Sequence, residues 1–502
     1  MSDTLLLLLG GFESLLRVEV FLACLVGVVM GTFIGVLPGI GPTSAIAILL
    51  PAVYGMDPLV AMVTLAGIFY GGTYGGTITA VLLNIPGEAT SVATAYDGYP
   101  MCKAGKAGIA IGMGAICSTI AATIGVILLT LIAMPLARFG LRFGPVEYTS
   151  IYIFAFAMVS SMTGRNVFKA LMSLSLGLLL ATVGQDVMYG TPRLTFGQLR
   201  LIDGIRFVPA IVGLYGMSEI LFNTIHRVDL PGKEMPDNRL DFKNVFPRWH
   251  HIAECKWTIL RSTIVGFLVG VMPGAGGTIA GLLGYDIEKL LSKDPDKYGT
   301  GVIQGVAAPE SANSASSAGA LVPLLSLGIP GSGTTAVMLG AFVLLGVRPG
   351  PRFFTTQPEL AWGIIASMYL GNVLLLILNT TLIPLFVTLL RISHKAISIV
   401  VPTLCFIGIY SVHRSMTDVW VMMVFALVGY VFKLRGIPGA PLVLALLLGG
   451  SMEFSLRQSL VLSAGSPLVF FSKPISLLFV IASILVVVMA FVRTLRSRKR
   501  GL

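Results

Sequence analysis

Long apolar runs fill most of this chain, and they leave little choice but helices in a bilayer. Examples span residues 17–37, 58–83, 107–137, 146–163, 206–225, 361–390, 416–432 and 475–492. A spanning helix needs about 20 mainly apolar residues. The runs therefore predict an all-α, polytopic integral membrane protein with roughly ten to fourteen transmembrane or re-entrant helices. Only 11% of the 502 residues are charged, and 55% are hydrophobic. An ordinary soluble chain is charged at about one residue in four. A large soluble helical enzyme would have to bury these runs without amphipathic faces, and that reading is set aside.

The net charge of +11 does not point to nucleic acid, because the cations sit in gaps between apolar runs. The tail "RTLRSRKR" (493–500) follows the last run directly. The longest polar loop, His226 to Arg261, carries seven Lys/Arg and five Asp/Glu. Positive-inside bias places both on the cytoplasmic side. The tail also suits anionic lipid headgroups. The five cysteines show no CxxC spacing, so neither a metal nor a disulfide framework is expected. The start lacks a cationic n-region, and no cleaved signal peptide is expected.

A glycine-proline signature then appears twice. "GVLPGIGPT" (35–43) answers to "GVMPGAGGT" (270–278), an offset of 270−35=235. "LLNIPGEATSVA" (82–93) answers to "SLGIPGSGTTAV" (326–337), an offset of 329−85=244. Small-residue stretches precede the second pair: "YGGTYGGTITA" (70–80) and "PESANSASSAGA" (309–320). A weaker match sets Asp186 opposite Glu453. We therefore read two homologous halves, 1–226 and 257–502, the second ending in the basic tail. A cytoplasmic linker, 227–256, joins them.

Proline removes an amide donor and disfavours helix in the residue before it, while glycine permits unusual backbone angles. Pro-Gly inside an apolar run thus breaks a membrane helix. The break leaves polar backbone groups that hydrocarbon does not tolerate unless protein or water covers them. Thr43, Ser44, Thr90, Ser91, Thr278, Thr334 and Thr335 follow the breaks and can cap the restarted helices. A restarted helix points free amides and its positive dipole end into the gap. No Lys or Arg lies in the four motifs, so an anion there would be held by amides and hydroxyls. Paired interrupted segments in two halves are a pointer to a transporter substrate site. The alternative is kinks and close helix packing, which Gly71 with Gly75 and Gly72 with Gly76 also suit.

Polar residues inside apolar regions come next. Glu310, Asn313, Ser314 and Ser316, with Thr73 and Thr77, are candidates for a coupling cation. Glu310 suits a proton carrier, cation ligand or gate. The alternative is a loop end at the membrane interface. Asp186 and Glu453 are read as helix terminators at the interface. All five histidines lie in polar gaps, and no Ser/His/Asp or HExxH arrangement is visible. "GSGTTA" (331–336) lacks the lysine of a phosphate loop.

The stretches 35–51, 70–101, 270–289 and 327–341 together resemble the large, TctA-type membrane subunit of the tripartite tricarboxylate transporters, and the likeness runs over essentially the whole chain. The resemblance implies a multi-pass permease subunit of the bacterial inner membrane, with no catalytic residue and no cofactor beyond a coupling cation, Na⁺ or H⁺. The C-terminus is expected in the cytoplasm. Implied partners are a small four-helix membrane subunit and a periplasmic solute-binding protein, with a citrate-like or other carboxylate as substrate. Carried onto this sequence, the substrate role falls on Pro38, Gly39, Gly41, Thr43 and Ser44. It continues on Asn84, Pro86, Gly87, Thr90 and Ser91, then on Pro273, Gly274, Gly276, Gly277 and Thr278. The last set is Pro330, Gly331, Ser332, Gly333, Thr334 and Thr335. A passive anion channel would also use broken helices. A membrane-embedded enzyme would need a convergent acid/base set.

Overall fold

The computed structural model describes residues 2–37, 40–162, 166–226, 247–274, 276–382, 385 and 394–499. Pro38 and Gly39, most of the linker, and the cationic side chains of the tail lie outside the described residues. The first half opens with α1 (Ser2–Leu15), α2 (Val18–Val36), α3 (Pro42–Leu49), α4 (Pro58–Leu83) and α5 (Val92–Lys103). It continues through α6 (Ala107–Gly140), α7 (Pro145–Met162), α8 (Val167–Ala181) and α9 (Phe207–Ile225). The second half holds α10 (Trp249–Val271), α11 (Gly276–Leu291), α12 (Gln304–Leu327), α13 (Gly333–Leu344) and α14 (Pro358–Thr381). It closes with α15 (His394–His413), α16 (Met416–Arg435), α17 (Ala440–Leu462) and α18 (Pro474–Lys499). Among the described residues, eight helices are long and apolar enough to cross a membrane, and five shorter helices are apolar. The chain is an all-α polytopic membrane protein. Helix α10 begins inside the stretch read as linker, at Trp249.

The two motif regions adopt the same backbone course. Helix α2 ends at Leu37 with φ −77° and ψ 117°, and α10 ends at Met272 with φ −79° and ψ 121°. Helix α4 ends in a left-handed residue, Asn84 (φ 56°), and α12 ends in one, Gly328 (φ 72°). Glu88 and Ser332 then turn the chain in nearly equal extended conformations. Each 35–43 or 270–278 segment separates two helices, as helix-breaking Pro-Gly requires.

Helices α4 and α12 form the buried centre. Their small residues let neighbouring backbones approach closely. A methyl on Gly31 of α2 would stand 2.5 Å from the Ile68 carbonyl oxygen of α4. Gly266 and Gly270 of α10 meet the Ala312 and Ser316 carbonyls of α12 in the same way. The glycine pairs of α4 divide their work. Gly71 and Gly75 face α2, while Gly72 faces Pro42, and Gly76 faces Ser91 and Glu88. Close packing and accommodation of the breaks are thus both served by one helix. The halves also interlock. Helix α6 packs along α12, and α14 packs along α4 and α6.

The segment "PESANSASSAGA" is not a loop end. It lies inside the continuous helix α12, with Pro309 and Pro323 also within the helix. Its neighbours supply the burial that lipid could not, which explains why so polar a sequence stays helical.

Glu453 likewise does not end a helix. It lies within α17 and joins a four-charge cluster with the hairpin after α8. Arg193 reaches Glu453 at 2.7 Å and Asp186 at 3.3 Å, and Arg457 reaches Asp186 at 2.8 Å. The amides of Tyr189 and Met188, with Arg457, hold the Asp186 carboxyl below its ordinary range. A carboxyl lowered on folding stabilises the folded state at neutral pH, and that contribution is lost as pH falls through the depressed value. Asp186→Asn should therefore lower the thermal midpoint at neutral pH and flatten its decline on acidification. Parallel midpoint curves for the two proteins would contradict this assignment.

Candidate functional site

All four helix breaks line one cavity of about 560 Å³. Helix α3 starts after Gly41 with Pro42 in its first turn, and its amide end opens on this space. Helix α13 starts from Ser332, whose hydroxyl accepts from the Thr335 amide at 3.2 Å while the Thr335 hydroxyl accepts from the Ser332 amide at 2.8 Å. This reciprocal cap fixes the helix start beside the cavity. Helix α11 begins at Gly276, which has a positive φ of 62°, as does Gly274 (84°) two residues before it. Glycine adopts such angles more readily than residues with a side chain. The Gly274 amide donates to the Gly331 carbonyl at 2.9 Å, which ties the two second-half breaks together. In the first half, Glu88 lies against Gly41 and accepts a hydrogen bond from the Thr90 hydroxyl.

The placement of the sequence-predicted residues is uneven. Gly41, Thr43, Ser44, Pro86, Gly87, Thr90, Gly274, Gly276, Gly277, Thr278, Ser332, Gly333 and Thr334 line the cavity. Asn84, Ser91, Pro273, Pro330, Gly331 and Thr335 do not line it, Asn84 being exposed at the end of α4, and Pro38 and Gly39 lie outside the described residues. Thr43 and Thr334 pair hydroxyl to hydroxyl at 2.7 Å, joining α3 to α13. Thr43 is thus not a cap, and Gly41 holds that position instead.

The cation candidates separate into three places. Asn313, Ser316 and Thr73 line the large cavity. The Asn313 side-chain oxygen is buried and has no hydrogen-bond partner among the described residues. Ser314 and Thr73 line a smaller neighbouring cavity of about 30 Å³. Glu310 and Thr77 lie in a third place, a buried cluster. There Glu310 Oε1 accepts from Thr77 at 2.8 Å and from Thr94 at 2.6 Å, and Oε2 accepts from Ser118 at 3.1 Å.

Sequence reasoning missed one wall of the large cavity. Tyr215, Glu219, Pro438, Gly439 and Ala440 complete it. Tyr215 lies on a π-helical turn within α9, Val212–Met217. Such turns often occur at functional sites. The Tyr215 carbonyl accepts from Ser44 at 3.3 Å. Glu219 is paired with Lys433. A signal for this wall stands in the sequence: Ile437-Pro438-Gly439 repeats the triplet found at 85–87 and 329–331.

The lining contains no lysine or arginine among the described residues, yet it contains Glu88 and Glu219. Helix amide ends favour an anion there, while Glu219 is already paired with Lys433. Among the described residues, no cluster of three or more His, Cys, Asp or Glu is placed to hold a metal ion.

These features define a multi-pass helical membrane protein with an internal polar cavity at the junction of broken helices. The chain belongs to the tripartite tricarboxylate transporter TctA family, whose model matches residues 21–444. It is 40% identical over 502 residues to an uncharacterized 52.8 kDa protein in the TAR-I ttuC' 3' region of Agrobacterium vitis, covering 99% of this chain and 98% of that one. It is 42% identical over 234 residues to an uncharacterized protein in the TAR-II ttuC' 3' region of the same organism, covering 47% of this chain and 97% of that protein. No solved structure matches.

Proposed function

We propose that this chain is the large permease subunit of a binding-protein-dependent secondary transporter that imports a carboxylate across the bacterial inner membrane. The carrying observation is the convergence of all four helix breaks on one cavity without a lysine or arginine in its described lining. Amide ends and the hydroxyls of Thr43, Thr90, Thr278, Ser332 and Thr334 hold the substrate carboxylates. Nearby oxygens, among them Asn313, hold one or more coupling cations whose charge partly offsets that of the substrate. Alternating access moves the cavity between the two sides. The weak hold of neutral donors suits a carrier that must also release its cargo. The two halves, with matched break angles, are read as a duplicated unit. A small four-helix membrane subunit and a periplasmic binding protein complete the system, and the basic tail faces the cytoplasm.

The test is uptake of a panel of labelled di- and tricarboxylates by cells carrying this chain with both partner subunits. Sodium and sodium-free media, with and without an ionophore, separate the driving ions. Gradient-dependent accumulation of one carboxylate is the expected result. Equilibration without accumulation would mean a channel. No uptake, with all subunits inserted, would overturn the substrate class.

A further inference from the structure

Glu310 is 1% exposed and lies at the meeting of four helices. Its hydroxyl partners come from α4 (Thr77), α5 (Thr94) and α6 (Ser118), while Glu310 itself belongs to α12. Among the described residues, no lysine, arginine or histidine pairs with it. A buried carboxylate without a cationic partner is costly unless it binds a cation or takes a proton. The geometry discriminates between these. Both oxygens are already in direct contact with hydroxyls, and Glu310 borders neither the large nor the small cavity. A metal cation needs volume and several oxygen ligands, whereas a proton needs no space.

A route to the large cavity is also present. Ser118 donates to Glu310 and lines the small cavity. Thr73 and Ser317 line both cavities. The small cavity, about 30 Å³, is large enough for a water molecule, which needs roughly 10–15 Å³ of such space.

We propose that Glu310 is a proton-binding site coupled to the carboxylate cavity through Ser118 and water held in the small cavity. A proton added to a Glu310 oxygen converts the carboxylate to a neutral acid. A facing hydroxyl then turns from donor to acceptor and directs its own proton to another acceptor, while no covalent bond other than the new O–H forms. Protonation removes a buried charge from the centre of the bundle. The other titratable groups around it are Tyr74 on α4, Glu88 on the first-half break and Cys117 on α6. Of these Glu88 is the acidic competitor. This inference rests on the transport reading and deepens it, since it names a proton as one coupling ion and Glu310 as its carrier.

The test has one arm that needs no substrate. Infrared difference spectra between acidic and alkaline buffer, taken on the purified protein in nanodiscs, report protonated carboxyl groups. The wild type should show a carboxyl band that is absent in Glu310→Gln and kept in Glu88→Gln. Addition of sodium should leave it unchanged. A wild-type spectrum that Glu310→Gln does not alter would overturn the proposal, as would a band abolished by sodium. If Glu310→Gln fails to fold, Glu310→Asp takes its place, and an unshifted band there would count against the assignment equally. The second arm is transport in cells with both partner subunits. Glu310→Gln should keep exchange of labelled for unlabelled substrate but lose acid-driven accumulation. Loss of exchange and accumulation together, in a folded variant, would make Glu310 part of the substrate site instead. Absence of transport by the wild type would overturn the transport reading and leave the spectroscopic result standing.

Discussion

Gly331→Ala will cut carboxylate uptake by about tenfold or more while the chain still inserts in the membrane. A methyl at this position would stand 2.6 Å from the Gly270 carbonyl oxygen and 2.7 Å from the Ala320 Cα. Both are backbone atoms, so neither can swing aside. Overpacking of this kind costs roughly 1–3 kcal/mol, and 1.4 kcal/mol is already about tenfold in an equilibrium. The displaced segment carries the Gly331 carbonyl that receives the Gly274 amide, and it leads into Ser332 at the start of α13. Gly87→Ala should act alike, because its methyl would stand 2.5 Å from the Gly35 carbonyl oxygen and 2.7 Å from the Gly76 Cα. Gly450→Ala is the control, since nothing lies within 4 Å of its added methyl. Uptake per membrane-embedded molecule is the measurement. Normal uptake by both Gly331→Ala and Gly87→Ala would sink the placement of the substrate at the breaks.

Asp97→Ala is expected to destabilise the whole protein rather than one step of transport. Asp97 is fully buried on α5. It accepts from the Tyr285 hydroxyl at 2.8 Å and from the amides of Gly299, Gly301 and Val302 at 2.9, 2.8 and 2.8 Å. One side chain thus ties the first half to α11 and to the loop before α12. Its removal takes the acceptor from four donors, of which the Tyr285 hydroxyl is buried, and a buried unsatisfied donor costs roughly 1–3 kcal/mol. Asp97→Asn keeps one accepting oxygen and should lose less. Thermal unfolding in detergent should rank wild type above Asp97→Asn above Asp97→Ala. A wild-type midpoint for Asp97→Ala would show that water replaces the carboxylate without loss. Gly305 reinforces the site, because a side chain there would collide with the Asp97 carboxylate.

The breaks were legible in the sequence for a plain reason. Proline and glycine act on the backbone where they stand, and the adjacent pairs Pro86-Gly87 and Pro330-Gly331 interrupt helices where the single prolines of α12 do not. The roles of individual hydroxyls were not legible. Thr43 and Thr335 both follow a break, yet Thr335 caps its own helix and Thr43 pairs with Thr334 across the cavity. The wall formed by Tyr215 and Pro438–Ala440 was half legible. Its Ile-Pro-Gly triplet stands in plain view, but nothing local says that it meets the other breaks. The polar stretch 309–320 reads equally as loop or helix, because its burial depends on α6, α10 and α11, which pack around it.

The sequence by itself determined the class of this protein: an all-α membrane chain, doubled in its motifs, with helices broken at fixed places. Hydropathy and helix breaking are properties of short segments, and short segments can be read. Only the tertiary structure decided which of those segments share a cavity, and it set Glu310 apart with three hydroxyls from three other helices. It also handed Asp97 to a loop some 200 residues further on, with Gly299 bonded at a separation of 202. Those pairings depend on how small residues let α2, α4, α10 and α12 approach, and on the interlocking of α6 and α14 between the halves. Contacts between distant segments are set by packing of the whole bundle, and no local pattern records them.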